Sequence, residues 1–260
     1  MLTGRAGSLI PARTYLQARW LASQVFENRR FRGRQLKRSV VTNDAYSYKP
    51  FDDTQSIFVH IPKCAGVSLA RTLYGNLAGG HTTLDEYVSI FEPAAFLQYF
   101  KFAIVRNPWD RLVSAYCFLK AGGLTEADRK WAEAELHPYD DFDAFVRGWL
   151  NRKNIWKWFH FRPQYHYIVE KCQIVTMDFI GSFENLEEDF AYICGKLGKN
   201  ARLPQHNDSA HLTYTEYYCE ATRQIVADVY ERDIAQLGYA FGSTAGSKRV
   251  ATKNGAELAG

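Results

Sequence analysis

The stretch FVHIPKCAGVSLARTLYG, residues 58–75, constrains the fold more than any other. A short apolar run rich in β-formers, SIFVHI (residues 56–61), halts at Pro62-Lys63. Three small residues, Cys64, Ala65 and Gly66, follow, and then Leu69, Leu73 and Leu77 recur at helical spacing. The pattern predicts a buried strand, a tight turn and a helix over 66–76. A second join repeats it. KFAIV (residues 101–105) reads as a buried strand, and Pro108 suits the first turn of a helix running to residue 121. CQIVTMDFIGSF (172–183) begins as a third strand. ENLEEDFAYICGKLG is an amphipathic helix through Leu186, Phe190, Ile193 and Leu197, with Gly198 as its stop. Another long helix is expected over 214–237. Strands and helices are mixed along the chain, so the fold class is α/β.

With 260 residues, 47% of them hydrophobic, the chain can build one sizeable core as a single domain with appendages. We divide it into a basic extension (1–50), a main domain (51–242) and a small-residue, polar tail (243–260) expected to be disordered. No apolar run is long enough for a transmembrane helix, and the first residues are too often broken by Arg for a secretory signal. Five cysteines, widely spaced and without a CxxC pair, argue against a disulfide scaffold or a zinc site and favour a reducing cytoplasm.

Charge is unevenly placed. Residues 1–50 carry ten Lys/Arg against two acids, a balance of +8; since the whole chain is +4, the remaining residues sum to −4. The run RRFRGRQLKR (29–38) suits contact with a polyanion or a membrane surface, and the alternative is a solvated basic arm. Nucleic acid is not expected as a partner.

A strand that ends in a tight turn and opens a helix aims backbone N–H groups at one spot, where the helix dipole adds positive character. Small residues let a ligand approach the backbone closely. Lys63 adds a full charge and Ser68 a hydroxyl, so the first join reads as a phosphate cradle. The Walker A order is absent, because here Lys precedes Gly. The alternative is a plain join with an exposed Lys. In the second join, Arg106 ends the strand, where open parallel sheets place ligands, and Ser114 follows eight residues later. Together they suit a second phosphate. The alternative is that Arg106 pairs with Asp110 and Ser114 faces the core. Two such sites on neighbouring strands point to one ligand with two separated anionic groups.

These residues carry a family resemblance. HIPKCAGVS resembles the 5′-phosphosulfate loop of sulfotransferases, commonly HIPKTAGTS, and VRNPWDRLVSAY resembles their 3′-phosphate motif. The group that includes the heparan 2-O and chondroitin/dermatan enzymes is the most similar. HFRPQYHYI, IGSFENLEEDF and the segment from HNDSAH to GYAF fit it too, so the resemblance spans residues 56–241. It implies a P-loop-NTPase-like parallel sheet flanked by helices. It implies transfer of a sulfuryl group from 3′-phosphoadenylyl sulfate (PAPS) to a hydroxyl of a carbohydrate or glycoconjugate, without a metal, leaving 3′-phosphoadenosine 5′-phosphate (PAP). Lys63, with the backbone of Cys64, Ala65, Gly66, Val67 and Ser68, would hold the 5′ end; Arg106 and Ser114 would hold the 3′-phosphate. Cys64 and Val67 stand where many members have Thr. Animal members sit in the Golgi with an anchor, so the Golgi lumen is the alternative compartment.

The acceptor hydroxyl needs a base, and His suits neutral pH. His81, in GGHTTLDEY, lies between the two motifs, where the resemblance places a catalytic His. His160 is the second candidate; it shares a segment with Arg162, Gln164 and His166 that suits an anionic or sugar acceptor. Trp158, in IWKWFHF, is a candidate to stack on sugar; the alternative is that this aromatic cluster forms a lid's own small core. His60 lies within an apolar strand and reads as a core residue. Ser209, with His206, Asn207 and His211, lies in a polar loop that resembles a nucleotide-contacting segment. Two other readings stay open: a small-molecule kinase, opposed by the missing Walker order, and a non-catalytic nucleotide- or polyanion-binding module.

Overall fold

Three parallel strands carry the fold in this computed structural model, which describes residues 11–41, 45–204 and 213–243. Strands β1 (Ser56–Phe58), β2 (Phe100–Val105) and β3 (Phe179–Ser182) lie in the order β1-β2-β3. Ser56 is in register with Phe100 and Phe58 with Phe102; on the other edge Phe102 faces Phe179 and Val105 faces Ser182. Nearly every strand residue is buried, as a parallel sheet covered on both faces requires. The expected α/β class with a parallel sheet and flanking helices is what the chain forms.

Parallel neighbours need long crossovers, and these hold the helices. Helices α1 (Ala12–Phe26), α2 (Asn28–Ser39) and α3 (Lys49–Thr54) precede β1. Between β1 and β2 run α4 (Gly66–Tyr74), α5 (Leu84–Tyr87) and α6 (Pro93–Gln98). Between β2 and β3 come α7 (Pro108–Lys120), α8 (Glu126–Glu135), α9 (Phe142–Gly148) and the single turn α10 (Tyr165–Ile168); α11 (Leu186–Lys196), α12 (Glu220–Val229) and α13 (Glu231–Leu237) follow β3. One core lies about the sheet, with Phe51, Phe58, Tyr87, Phe91 and Phe102 fully buried. A second joins α7, α8, α9 and α12 through Leu119, Phe145, Trp149, Phe161 and Val226.

Three expectations need amendment. Strand β3 starts at Phe179, later than expected: the buried Glu170 carboxylate accepts the N–H groups of Cys172 and Ile174 and curls that stretch into a turn. The helix expected over 214–237 is broken into a 3₁₀ turn (Tyr214–Tyr217), α12 and α13. Aromatic anchors cause the break: Tyr218 donates to the Trp109 carbonyl and Tyr230 to the Phe161 carbonyl. Third, the N-terminal residues 12–39 are not a loose arm. Leu16 is buried in the main core, Tyr15 donates to Glu170 at 2.5 Å, and Arg19 forks onto Asp85. On α2, Arg38 bridges Asp52 and Glu92, and Arg34 lies 3.6 Å from Glu27 and Glu86. Arg19, Arg34 and Arg38, three of the ten basic residues read from the sequence, are therefore engaged with the sheet domain's acids. Among the described residues no helix is long and apolar enough to cross a membrane.

Candidate functional site

All three strands run the same way, so the loops leaving β1 and β2 share one edge of the sheet. The first loop is wound tightly. Lys63 and Ala65 both have left-handed backbone (φ 69° and 58°), an unfavourable state for residues with a Cβ. Buried Cys64 between them pins the loop: its thiol donates to the Gln164 side-chain oxygen at 3.5 Å. Burial pushes that thiol up to about 12, so Cys64 acts as a packing residue and not as a redox centre.

Ala65 is the N-cap of α4 and offers no side-chain cap, leaving the first N–H groups of the nine-residue helix, from Gly66 through Ser68, without side-chain acceptors. The Ser68 hydroxyl is buried and has no hydrogen-bond partner among the described residues. A Cβ on Gly66 would lie 1.8 Å from the His60 ring, so glycine is what lets the helix start against that imidazole. Val67 is 41% exposed and contributes backbone alone. The Lys63 ammonium sits 3.9 Å from the centre of the Phe118 ring, with no carboxylate in ion-pair range among the described residues. Burial first, and the Arg106 charge second, lower it to about 8. An uncapped helix start, an unpartnered hydroxyl and an uncompensated cation form a site built for an anion.

The second loop abuts the first. Arg106 donates through one terminal nitrogen to the Lys63 carbonyl at 3.2 Å and lies flat over Phe183, 4.0 Å from its centre. It also forks onto Asp110 at 2.7 and 2.9 Å, the structural bridge considered above. A guanidinium has five N–H groups, so about two remain for a ligand. Ser114 is half-buried, and its hydroxyl has no protein hydrogen bond among the described residues. Beside these residues opens a cleft of about 1070 Å³ lined by Ser68, Phe183, Glu184, Arg202 and neighbours.

Three imidazoles converge on the same region. The rings of His60 and His81 are 4.4 Å apart, those of His81 and His160 6.3 Å apart, and Phe159 packs on both His81 and His160. Burial lowers all three, His160 to about 3. His81 holds its Nδ1 3.1 Å from the His60 carbonyl. A carbonyl only accepts, so in the neutral ring Nδ1 carries the proton and Nε2 keeps a free lone pair. His160 is more enclosed: its Nδ1 has no hydrogen-bond partner and stands 3.8 Å from the buried Asp128 carboxylate.

The expected acceptor residues separate. Trp158 is half-buried, stacks on Trp131 at 5.4 Å and donates its indole N–H to Asp128. Arg162 keeps a buried Nε without a partner. Gln164 is wholly buried, which overturns its expected contact with an acceptor: its side chain accepts the Arg106 N–H at 2.9 Å and donates to the Arg106 carbonyl at 2.8 Å. It is a latch, held in turn by Asp233, which accepts the backbone N–H groups of Gln164 and Tyr165. His60 is the core residue expected. Ser209, His206, Asn207 and His211 lie outside the described residues.

Several participants escaped the sequence reading. Phe118 floors the Lys63 ammonium, and its position four residues after Ser114 on α7 was the signal, since both lie on one face. Asp128 was legible only as the third residue of a capping box opening α8. Arg111 is 2% exposed and ties the carbonyls of His160 and Arg162.

The chain is 26% identical over 231 residues to carbohydrate sulfotransferase 14 of Danio rerio, covering 74% of this chain and 62% of that one. It is 28% identical over 154 residues to carbohydrate sulfotransferase 14 of Homo sapiens, covering 52% and 40%. It is also 31% identical over 110 residues to an uncharacterized protein of Archaeoglobus fulgidus, covering 42% and 73%. The chain thus spans less than two thirds of the length of the zebrafish and human relatives. No solved structure matches it. The sequence profile of the sulfotransferase family matches residues 48–240, most of the chain and both anion loops, and the protein belongs to that family.

Proposed function

We propose that the protein transfers a sulfuryl group from PAPS to a carbohydrate hydroxyl, releasing PAP. One observation carries the reading: the uncompensated Lys63 ammonium and the unpartnered Ser68 hydroxyl at an uncapped helix start, with Arg106 bonded to the same loop. The residues fit a nucleotide with an anion at each end. The N–H groups of Gly66 to Ser68 and the Lys63 ammonium hold the 5′ end. The free N–H groups of Arg106 and the Ser114 hydroxyl hold the 3′-phosphate, and Phe183 lies under Arg106.

In the reaction the acceptor oxygen attacks sulfur, the bond from sulfur to the bridging phosphate oxygen breaks, and the acceptor proton goes to His81 Nε2. Lys63 stabilises the charge appearing on the departing oxygen. His160 lies beside His81, Phe159 packs on both rings, and its Nδ1 stands 3.8 Å from the Asp128 carboxylate; we assign it to placing His81 and the acceptor. The stacked Trp131 and Trp158 supply an aromatic wall suited to a sugar ring, and the names of the animal relatives favour the same acceptor class.

The test is PAP release from PAPS with a panel of glycan acceptors. Wild type should turn over on at least one of them. Lys63→Ala should stay folded and lose about 100-fold or more in kcat. Absence of PAP release with every hydroxyl acceptor, from protein that binds PAP, would remove the proposal.

A further inference from the structure

Helix α1 buries Leu16 in the core yet also carries an apolar stripe on its outer face. Its inner face makes polar contacts through Tyr15, Arg19 and Ser23, while Ala18, Leu21, Ala22 and Val25 are exposed on the outer one. The stripe ends at the corner between α1 and α2, where Val25 is 71% and Phe26 85% exposed. Beyond it α2 presents Arg29, Arg30 and Arg32 to solvent, followed by Leu36 at 65% exposure.

The arginines of this hairpin sort into two sets. Arg19, Arg34 and Arg38 turn inward onto Asp85, Glu86, Asp52 and Glu92. Arg29, Arg30 and Arg32 make no ion pair among the described residues, and the one acid at the corner, Glu27, faces Arg34. An exposed phenylalanine and valine flanked by three uncompensated arginines match an anionic lipid surface: charge draws the corner to the headgroups and the apolar pair enters the acyl boundary. A soluble polyanion would use the arginines but would leave Phe26 in water.

We propose that residues 21–32 dock the protein peripherally on anionic membranes. The surface lies on the N-terminal helices, outside the segment that matches the family, and the inference does not rest on the sulfotransferase reading.

The experiment is co-sedimentation of the full chain with phosphatidylcholine vesicles, with and without phosphatidylserine. Wild type should bind only the anionic vesicles and dissociate as salt rises. The double variant V25S/F26S should bind about tenfold or more weakly. The triple variant R29Q/R30Q/R32Q should bind on the order of 100-fold more weakly. Melting temperatures should match wild type, because these side chains are exposed and make no ion pair among the described residues. Equal binding to both vesicle types, or none, overturns the proposal. So does anionic binding unchanged in V25S/F26S, which marks a polyanion site. Light scattering that shows a dimer lost in V25S/F26S assigns the patch to a second copy and overturns it too.

Discussion

Lys63 shows how one residue can be tuned by what surrounds it. Burial lowers its ammonium to about 8, within reach of physiological pH, and a bound anion must restore the proton it is prone to lose. Below about 8 the free protein is already charged and ready. Above it, binding must take up a proton, so PAP affinity should fall by up to about tenfold per pH unit as pH rises. Calorimetry across that range checks this, and Lys63→Arg, which stays charged, should flatten the profile. His81 predicts the opposite limb. Burial holds it below the ordinary histidine value, so it stays neutral in mild acid. The acid limb of kcat should fall below about pH 6.5, the value of a free histidine. Gly66 gives a purely steric case. Gly66→Ala drives a methyl into the His60 ring and should cost about 1–3 kcal/mol, read from urea unfolding.

At the scale of elements, α1 braces the segment behind His81. Arg19 grips Asp85, the second residue of α5, and lies 3.4 Å from the fully buried Glu170 that curls the 170–174 turn. Arg19→Met should lower stability by about 1–2 kcal/mol in urea unfolding, because it removes the guanidinium shared by the half-buried Asp85 and the fully buried Glu170. The sequence made the strand–turn–helix joins legible because apolar runs, Pro108 and the small residues of the first turn are local signals. It also singled out Lys63, Ser68 and Arg106 as candidates, through spacing and a family resemblance, and the structure brings their two loops into contact. It did not show that Gln164 faces inward, since a polar residue among Arg162, His160 and His166 looks the same whether it meets solvent or a backbone fifty-eight residues away. The break in the last helix was hidden similarly: Tyr218 and Tyr230 fit a helical pattern, and only their distant carbonyl partners decide otherwise.

Across the whole molecule, two cores meet at the candidate site: the Lys63 loop belongs to the sheet core, and Phe118 and Phe161 to the other. A nucleotide bound at both loops should stabilise the entire chain, by about 2.7 kcal/mol at a hundred times its Kd, seen as a higher melting temperature with PAP. Adenosine 5′-phosphate, lacking the 3′ group, should give less. The bond from Arg106 to the Lys63 carbonyl has a wider consequence. It sets the gap between the two grips as the jaws of a caliper are set, and the Gln164 latch locks that setting from behind. On the proposed reading a donor is selected by its length: nucleotides with one phosphate more or fewer along the chain should miss one jaw, whatever their total charge.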